Sequence, residues 1–357
     1  MPIPEQRDPE QTRLALAGWL AERMPYASDL EVAGLTPPDG TGFSNETLLF
    51  DATWQQDGKT RTQGLVARVS PVQYAVFPES DVEIQFRALS ALQDKPGIPV
   101  PEVYWFESDP AVLGASFFVM EQLEGRAPAD RPPYNAEGWL AELSVQERAA
   151  LWRNAIEVFT EVHRLDPDGS GFGFADRPEY GARGIEQTLG YLGHQMEFAS
   201  GPRPNPPAEA GWEWLNEHRP SAMPPIGISW GDARIGNIMF DGVAPVAVCD
   251  WEMVMLGPGE QDLGWWLFLD RFHSEGNGVE RLEGLGTRKE TIALYEERVG
   301  REVDLELLHY YEVLSAFRFT LVMMRITQLQ KEYGQLPEDS DRDVNNPVTA
   351  LLMDLLG

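Results

Sequence analysis

Cysteine is almost absent from this chain, since Cys249 is the only one among 357 residues. An internal disulfide is therefore excluded, and with it the disulfide frameworks of small secreted domains. No apolar run approaches the roughly 18 residues that a membrane-spanning helix needs. The first residues, MPIPEQRDPEQ, lack a basic segment followed by an apolar one, so we expect no signal peptide. Together these features favour a cytoplasmic protein.

Basic residues are also scarce. The chain has 28 Lys and Arg against 57 Asp and Glu, which gives a net charge of −29. This balance argues against nucleic acid and anionic membranes as partners, because both require a basic face. It is compatible with a cationic substrate or with acidic groups that hold metal ions. A solvated acidic surface that keeps the protein soluble accounts for most of the charge.

The length and composition indicate a globular protein with two lobes. Hydrophobic residues make up 43% and charged residues 24% of the chain, which is ordinary for a folded domain. No internal repeat or long low-complexity segment is present. We predict a small α+β lobe over residues 1–125 and a mainly helical lobe over residues 126–357, with the proline-rich stretch RAPADRPPYN (126–135) at the boundary. A cleft between two such lobes can hold a ligand.

The first lobe is predicted to contain two helices and a sheet. Residues 8–24 form a helix whose apolar side carries Leu14, Leu16, Trp19 and Leu20. Residues 35–70 contain a glycine-bearing loop and two strands, joined at an Asp-Gly turn. A second helix covers 80–93 with Ser80 as its N-cap, and two more strands lie within 98–108 and 115–125.

The second lobe is predicted to be mostly helical. Ser144 and Glu147 have the spacing of a capping box at the start of a helix over 144–165. Further helices are predicted within 183–199, 208–219, 260–272, 287–300, 304–334 and 344–356. Short strands within 226–252 interrupt this helical series.

The stretch SWGDARIGNIMFDGVAPVAVCDWE (229–252) carries the chemistry. Asp232 precedes Asn237 by five residues, and Asp250 follows a predicted hairpin. This is the layout of a kinase active site. Asp232 can orient a hydroxyl and accept its proton, while Asn237 and Asp250 supply the hard oxygen ligands that Mg²⁺ prefers. Each residue alone is more typical of a turn or a strand end, but the three together at this spacing favour the catalytic interpretation.

The segments GDARIGNIMF, VAVCDWE and GEQDLGWW resemble the aminoglycoside phosphotransferase and choline kinase family, in its bacterial aminoglycoside phosphotransferase-like branch. That branch is also similar to the kinase-like domain fused to some acyl-CoA dehydrogenases. The resemblance extends across most of the chain. It implies an α+β, protein-kinase-like fold, with a small mixed β-sheet lobe and a helical lobe that carries a catalytic hairpin. It also implies ATP and Mg²⁺ as cofactors.

Individual roles follow from this resemblance. Asp232 matches the catalytic base, Asn237 and Asp250 match the magnesium ligands, and Asp262 matches an acid that supports the loop. Trp230 stands where the family usually has a histidine, and an indole can pack in that place.

The resemblance also assigns the contacts with the nucleotide. Arg68 stands where the family usually has the phosphate-binding lysine, and its guanidinium can still pair with phosphate. Glu83 is the expected acidic partner of Arg68 on the following helix, although the register also allows Gln85. The loop DGTGFSN (39–45) is expected to approach the phosphates through Gly42, Ser44 and Asn45. The adenine is expected near Met120, Glu121 and Leu123.

We therefore predict an ATP-dependent kinase that phosphorylates a small-molecule hydroxyl. The acceptor stays open among aminoglycosides, hydroxyacyl thioesters, sugars and amino alcohols. A nucleotide-binding pseudokinase is the alternative, favoured by Trp230 and Arg68 and opposed by the complete set of Asp232, Asn237 and Asp250. A protein kinase is disfavoured because no segment resembling APE follows Asp250. The histidines lack zinc-ligand spacing. Trp265 and Trp266 are expected in the core, with a place for one of them in the lining of the acceptor pocket as the alternative.

Overall fold

The computed structural model describes residues 7–37, 45–71, 74–79 and 81–357. The helices are α1 Pro9–Arg23, α2 Val82–Leu92, α3 Trp139–Glu142, α4 Val145–His163, α5 Ile185–Ala199, α6 Pro206–Glu217, α7 Gly259–His273, α8 Arg288–Val299, α9 Leu305–Glu332 and α10 Pro347–Leu356. The strands are β1 Ser28–Thr36, β2 Glu46–Gln56, β3 Lys59–Val69, β4 Val103–Glu107, β5 Phe117–Glu121, β6 Gly227–Ser229, β7 Ile238–Asp241, β8 Ala244–Val248 and β9 Met255–Gly257.

The first five strands form one sheet in the order β1-β2-β3-β5-β4. All pairs between its described strands are antiparallel, so the sheet is not mixed in strand direction. The predicted Asp-Gly turn joins β2 to β3, with φ of 51° at Asp57 and 71° at Gly58. Positive φ at both central residues is the geometry that matches the twist of a tight hairpin.

Helix α1 covers one face of this sheet. Leu16, Trp19 and Leu20 are buried against it, as predicted from their helical spacing. The prediction for Leu14 is wrong, because its side chain is 56% exposed. Leu14 lies two residues before Leu16, which is about 200° around a helix and therefore on the opposite side.

Helix α2 lies where the sheet meets the helical lobe. Asp81 caps it by accepting a 2.9 Å hydrogen bond from the Glu83 amide. The predicted cap, Ser80, lies outside the described residues. Val82, Leu89 and other apolar residues of α2 belong to a core that continues from β5 into α4 and α7. This helix therefore presents its buried side both to the sheet and to the lobe below.

The second lobe is helical, as predicted. The capping box of Ser144 and Glu147 is present at the start of α4, where both reciprocal hydrogen bonds form. The long helix α9, 28 residues, packs against α5, α6, α7 and α10 in a second core. Within the described part of the chain, no helix combines the length and the apolar character needed to cross a membrane.

Two small strand pairs interrupt the helices and position the catalytic stretch. β6 pairs with β9, and β7 pairs with β8 as the predicted hairpin. The chain leaving β5 joins this hairpin, since the amide of Arg126 donates to the carbonyl of Phe240 at 2.9 Å and the amide of Phe240 donates back at 3.0 Å. The sheet lobe is thus hydrogen-bonded to the hairpin that carries Asn237 and Asp250 at its ends.

Candidate active site

A buried carboxylate on α7 holds the catalytic loop. Asp262, 1% exposed, accepts hydrogen bonds from four donors on two segments. These donors are Ser229 Oγ at 2.7 Å, the Trp230 amide at 2.6 Å, the Gly231 amide at 2.9 Å and His163 Nε2 at 3.0 Å. Since β6 ends at Ser229, the carboxylate fixes the backbone at the point where the chain enters the loop. The structure thus supports the predicted role of Asp262 as a support of the loop.

The Gly-Asp pair that follows depends on a glycine. Gly231 has φ of 90°, and a Cβ atom there would lie 2.0 Å from the carbonyl oxygen of Met253. Any side chain would therefore displace the segment that leads into β9. This close approach brings the loop carrying Asp232 against the chain that follows Asp250.

The indole of Trp230 links the same two segments. Trp230 is fully buried, and its Nε1 donates to the carbonyl of Cys249 at 2.9 Å. Its ring lies 5.7 Å from that of Trp251. The residue that departs from the family pattern therefore serves as a scaffold between the Asp232 loop and the strand end before Asp250.

The side chain of Asp232 is fixed through both of its oxygens. Trp265 Nε1 donates to Oδ1 at 2.7 Å, and Asn237 Nδ2 donates to Oδ2 at 2.6 Å. The same Asn237 nitrogen lies 3.0 Å from the main-chain carbonyl of Asp232. Trp265 was expected in the core, and the structure shows that its polar edge also orients the proposed base. The position of Trp265, three residues after Asp262, did not distinguish a contact with the base from packing in the core.

Arg234 is a contact of Asp232 that the sequence analysis missed. Its Nε lies 3.4 Å from Asp232 Oδ2, and its Nη1 donates to Asp130 at 2.6 Å. Burial acts to lower the pKa of Arg234, but the charges of Asp232 and Asp130 outweigh it and raise that pKa. Arg234 therefore stays a cation beside the proposed base. Its position two residues after Asp232 was the available signal.

The two predicted metal ligands lie on backbone segments that are hydrogen-bonded to each other. The Cys249 amide donates to the carbonyl of Asn237 at 2.9 Å, which places Asp250 beside the asparagine. Asp250 itself adopts φ of 60°, which is uncommon for a residue other than glycine. Burial raises the pKa of its carboxyl, Arg68 opposes this rise, and the charge of Asp232 adds to it. A carboxylate in such surroundings is one that a cation would stabilise.

The chemistry of these donors fits Mg²⁺. Asn237 uses its Nδ2 for Asp232, and its Oδ1 accepts no hydrogen bond from the described residues. Among the described residues, Asp250 accepts a hydrogen bond only from Arg68 Nη2, at 3.3 Å. An amide oxygen and a carboxylate are thus left as hard donors, which is the set that this ion prefers.

Arg68 binds the site from the sheet lobe, and here one prediction is corrected. Its Nη1 donates to Thr47 at 2.8 Å across the strand pair, and its Nη2 lies 3.3 Å from Gln85 Oε1. The expected partner, Glu83, instead pairs with Arg87 at 3.7 Å in an exposed contact. Positions 83 and 85 are about 200° apart on α2, and the buried side of this helix carries the glutamine.

The expected nucleotide contacts are only partly described. Gly42 and Ser44 lie outside the described residues. Asn45 is buried, and its Nδ2 donates to Glu252 at 2.6 Å, which ties the start of β2 to the segment after Asp250. Met120 and Glu121 end β5, and Leu123 follows in the chain that leads to the hairpin. Their contact with an adenine stays a prediction.

The geometry of the site does not by itself identify a protein family, but comparison of the sequence with family models does. Residues 38–298 match the model of the phosphotransferase enzyme family. The chain belongs to that family. Among curated proteins it is similar to "Probable acyl-CoA dehydrogenase IBR3" of Arabidopsis thaliana, with 28% identity over 297 residues, 78% of this chain and 34% of the relative. The chain spans about a third of the length of the curated relatives it matches.

Solved structures confirm the kinase-like fold. A candidate aminoglycoside phosphotransferase from Ralstonia eutropha superimposes with a TM-score of 0.65 at 22% identity, over 96% of this chain and 95% of that one. A thermostable mutant of aminoglycoside phosphotransferase APH(4)-Ia, in complex with ADP and hygromycin B, has a TM-score of 0.59 at 13% identity, over 96% of this chain and 98% of that one. At these identities the likeness establishes the fold alone.

Proposed function

We propose that this chain is an ATP-dependent kinase that transfers the γ-phosphoryl group to the hydroxyl of a small molecule. The observation that carries the proposal is the position of Asn237. One side-chain atom fixes Asp232, the other is left as an oxygen donor, and its backbone adjoins the residue before Asp250. A proton acceptor and a metal-binding pair thus share one rigid unit, which is the arrangement that phosphoryl transfer requires.

The proposed reaction uses this unit directly. Asp232 binds the acceptor hydroxyl and takes its proton as the acceptor oxygen forms a bond to the γ-phosphorus. The bond between that phosphorus and the bridging oxygen breaks, and ADP leaves with the bonding electrons. Asn237 and Asp250 would hold Mg²⁺, which neutralises the charge on the phosphoryl oxygens when bound. Trp265 keeps the Asp232 carboxylate aimed, so the hydroxyl meets a positioned base.

The nucleotide would lie under the sheet lobe. Arg68 would exchange its contact with Asp250 for the nucleotide phosphates, to which its planar guanidinium can donate twice. The remaining contacts are proposed from the resemblance: Gly42, Ser44 and Asn45 for the phosphates, and Met120, Glu121 and Leu123 for the adenine. The APH(4)-Ia structure contains ADP, which supports ATP as the donor here. We also propose a cytoplasmic enzyme, with residues 1–125 as the nucleotide lobe and 126–357 as the acceptor lobe.

One observation favours a second candidate, a nucleotide-binding protein without transfer activity. Arg68 meets the neutral amide of Gln85, whereas the family's active arrangement pairs this cation with an acid. A neutral partner holds the guanidinium less firmly in place. Nucleotide binding would be common to both candidates, so only transfer distinguishes them.

The experiment that tests the proposal detects the phosphorylated product itself. Purified protein is incubated with Mg-ATP and each member of a panel of aminoglycosides, amino alcohols, sugars and hydroxy acids, free and as thioesters. Mass spectrometry then reports which acceptors gain a phosphoryl group, and calorimetry reports nucleotide binding. A phosphorylated acceptor that is absent when ATP or Mg²⁺ is omitted establishes the kinase. Nucleotide binding with no product across the whole panel favours the silent protein.

A further inference from the structure

A buried cation from α9 lies beside the loop that carries the proposed base. Arg318, on α9, is 4% exposed, although the chain as a whole carries a net charge of −29. Its Nη1 lies 3.3 Å from the carbonyl oxygen of Gly231, the residue before Asp232. Its guanidinium carbon is 5.4 Å from the ring centroid of Trp265, whose Nε1 holds the Asp232 carboxylate. The cation therefore adjoins the place where an acceptor hydroxyl would bind.

Some N–H donors of Arg318 make no hydrogen bond with the described residues. Within the described residues, no carboxylate lies at ion-pair distance from its guanidinium, and its Nε has no hydrogen-bond partner. A guanidinium carries five N–H donors, and a buried charge without a partner is costly. Burial lowers the pKa of Arg318, and Tyr191, Asp232 and Asp262 only partly oppose this effect. The contact with the Gly231 carbonyl is long, at 3.3 Å, so it offsets little of the free-energy cost of burying this cation.

A second arginine, Arg177, is already paired with an acid, and it lies over a tyrosine of α5. The Arg177 guanidinium lies 4.8 Å from the ring centroid of Tyr191, and its Nη1 pairs with Glu79 at 3.1 Å. Burial raises the pKa of the Tyr191 phenol, and both Arg177 and Arg318 oppose that rise. One turn further along α5, Gln195 is 1% exposed, and neither polar atom of its amide has a partner.

These groups match an anion better than a cation. A polycationic acceptor would meet the buried Arg318 beside Asp232, and like charges in a buried site repel strongly. A carboxylate or phosphate would instead occupy the open donors of Arg318 in charge-assisted hydrogen bonds. We propose that the acceptor is a hydroxyl compound bearing an anionic group, which Arg318 binds while Asp232 holds the hydroxyl. This inference rests on the proposed kinase function, and it departs from the cationic acceptor that the surface charge suggested.

The experiment compares acceptors that differ only in charge. Hydroxy carboxylates are paired with their amides, and sugar phosphates with the free sugars, so that the two arms distinguish a carboxylate from a phosphate. Values of kcat and KM are measured for the wild type, Arg318→Gln and Arg318→Lys. Arg271→Gln is the matched control, because Arg271 is a surface arginine paired with Glu275 and Asp354.

We expect the wild type to prefer the anionic member of at least one pair. Arg318→Gln should lower kcat/KM for that member by roughly 10- to 100-fold, mostly through KM, because one or two charge-assisted hydrogen bonds are lost. The uncharged member should change little, Arg318→Lys should recover part of the loss, and the control should match the wild type. If Arg318→Gln does not fold, Arg318→Lys provides the same comparison with a smaller effect, because it keeps the charge but has fewer donors.

Two kinds of result overturn the inference, and they differ from a failure of the kinase itself. Turnover of neutral or cationic acceptors that requires Asp232, with no preference for the anionic members, would refute the anionic class and leave the kinase in place. A uniform loss for charged and uncharged members in Arg318→Gln would reduce Arg318 to a structural support. If nothing is phosphorylated, the kinase proposal fails. Calorimetry with the same carboxylates and phosphates then tests whether the protein binds an anion at Arg318. Absence of binding to the wild type would refute the proposed anion site.

Discussion

Replacement of Asp262 by asparagine should remove the main support of the catalytic loop. The change preserves shape but exchanges one acceptor oxygen for an NH₂ group. Of the four donors that meet the carboxylate, two contact Oδ1 and two contact Oδ2. In either orientation of the amide, the NH₂ group would therefore leave one main-chain amide, of Trp230 or Gly231, without an acceptor. The side-chain donor that shares the same oxygen, Ser229 or His163, would have to reverse its hydrogen bond or lose it.

The magnitude follows from the number of groups left unpaired. A buried amide without an acceptor costs about 1–3 kcal/mol, and loss of the charge-assisted bond from the side-chain donor costs a similar amount, so the variant should lose about 2–6 kcal/mol of its free energy of unfolding. A typical folded protein has only about 5–15 kcal/mol in total. With a slope of about 3 kcal/mol per molar urea, the unfolding midpoint should fall by about 1–2 M. Because Asp232 follows this backbone directly, kcat should also fall by at least about tenfold while the variant is folded.

The assay is urea unfolding followed by tryptophan fluorescence, with kcat measured at a temperature where the variant remains folded. Asp354→Asn is the control, since its side chain is 65% exposed, and we expect it to change stability by less than about 0.5 kcal/mol. Ser229→Ala, which removes one donor, should cost about 1 kcal/mol. A midpoint for Asp262→Asn that equals that of the control would refute the role given to this carboxylate.

Three further predictions concern single residues around the site. Arg68→Met should raise the KM for ATP by roughly 10- to 100-fold because it removes the phosphate-binding cation, and Arg68→Lys should recover most of the loss; equal KM values for Met and Lys would contradict this role. Trp265→Phe should lower kcat by about tenfold with little change in the KM for ATP, since it frees one oxygen of Asp232; a change confined to that KM would contradict the assignment. Burial, with a smaller effect of Asp250, raises the pKa of the Cys249 thiol to about 12, so the thiolate is scarce at pH 8. The native thiol should then react roughly a thousandfold more slowly than the unfolded one, with a rate that rises as the pH approaches 12, and equal rates would refute this.

Much of the architecture was predictable because each element carries its own local signal. The capping box of Ser144 and Glu147 and the Asp-Gly turn at Asp57 both formed where the sequence placed them. Those signals act within a few residues of one another, and the local hydrogen bonds decide them. The side of a helix is harder to predict, as Leu14 shows, because an apolar residue can lie on either side of a short helix.

The site was predictable only where its residues share one stretch of chain. Asp232, Asn237 and Asp250 lie within a single loop and hairpin, so their spacing predicted their proximity. Contacts made between distant segments carried no such signal. The choice of Gln85 over Glu83 depends on how α2 is rotated against the sheet, and the approach of Arg318 depends on how α9 packs. Both are set by tertiary packing, which periodicity in one sequence does not determine.

The most direct test of the central claim is the turnover of Asp232→Asn against the wild type with the acceptor identified by mass spectrometry. Asparagine keeps the size of the side chain and can still accept the hydrogen bond from Trp265, but it cannot take the acceptor proton. We expect nucleotide binding to be retained and kcat to fall by roughly 10²- to 10⁴-fold, the usual contribution of a general base. Turnover by the variant at the wild-type rate would contradict the assignment of Asp232 as the base.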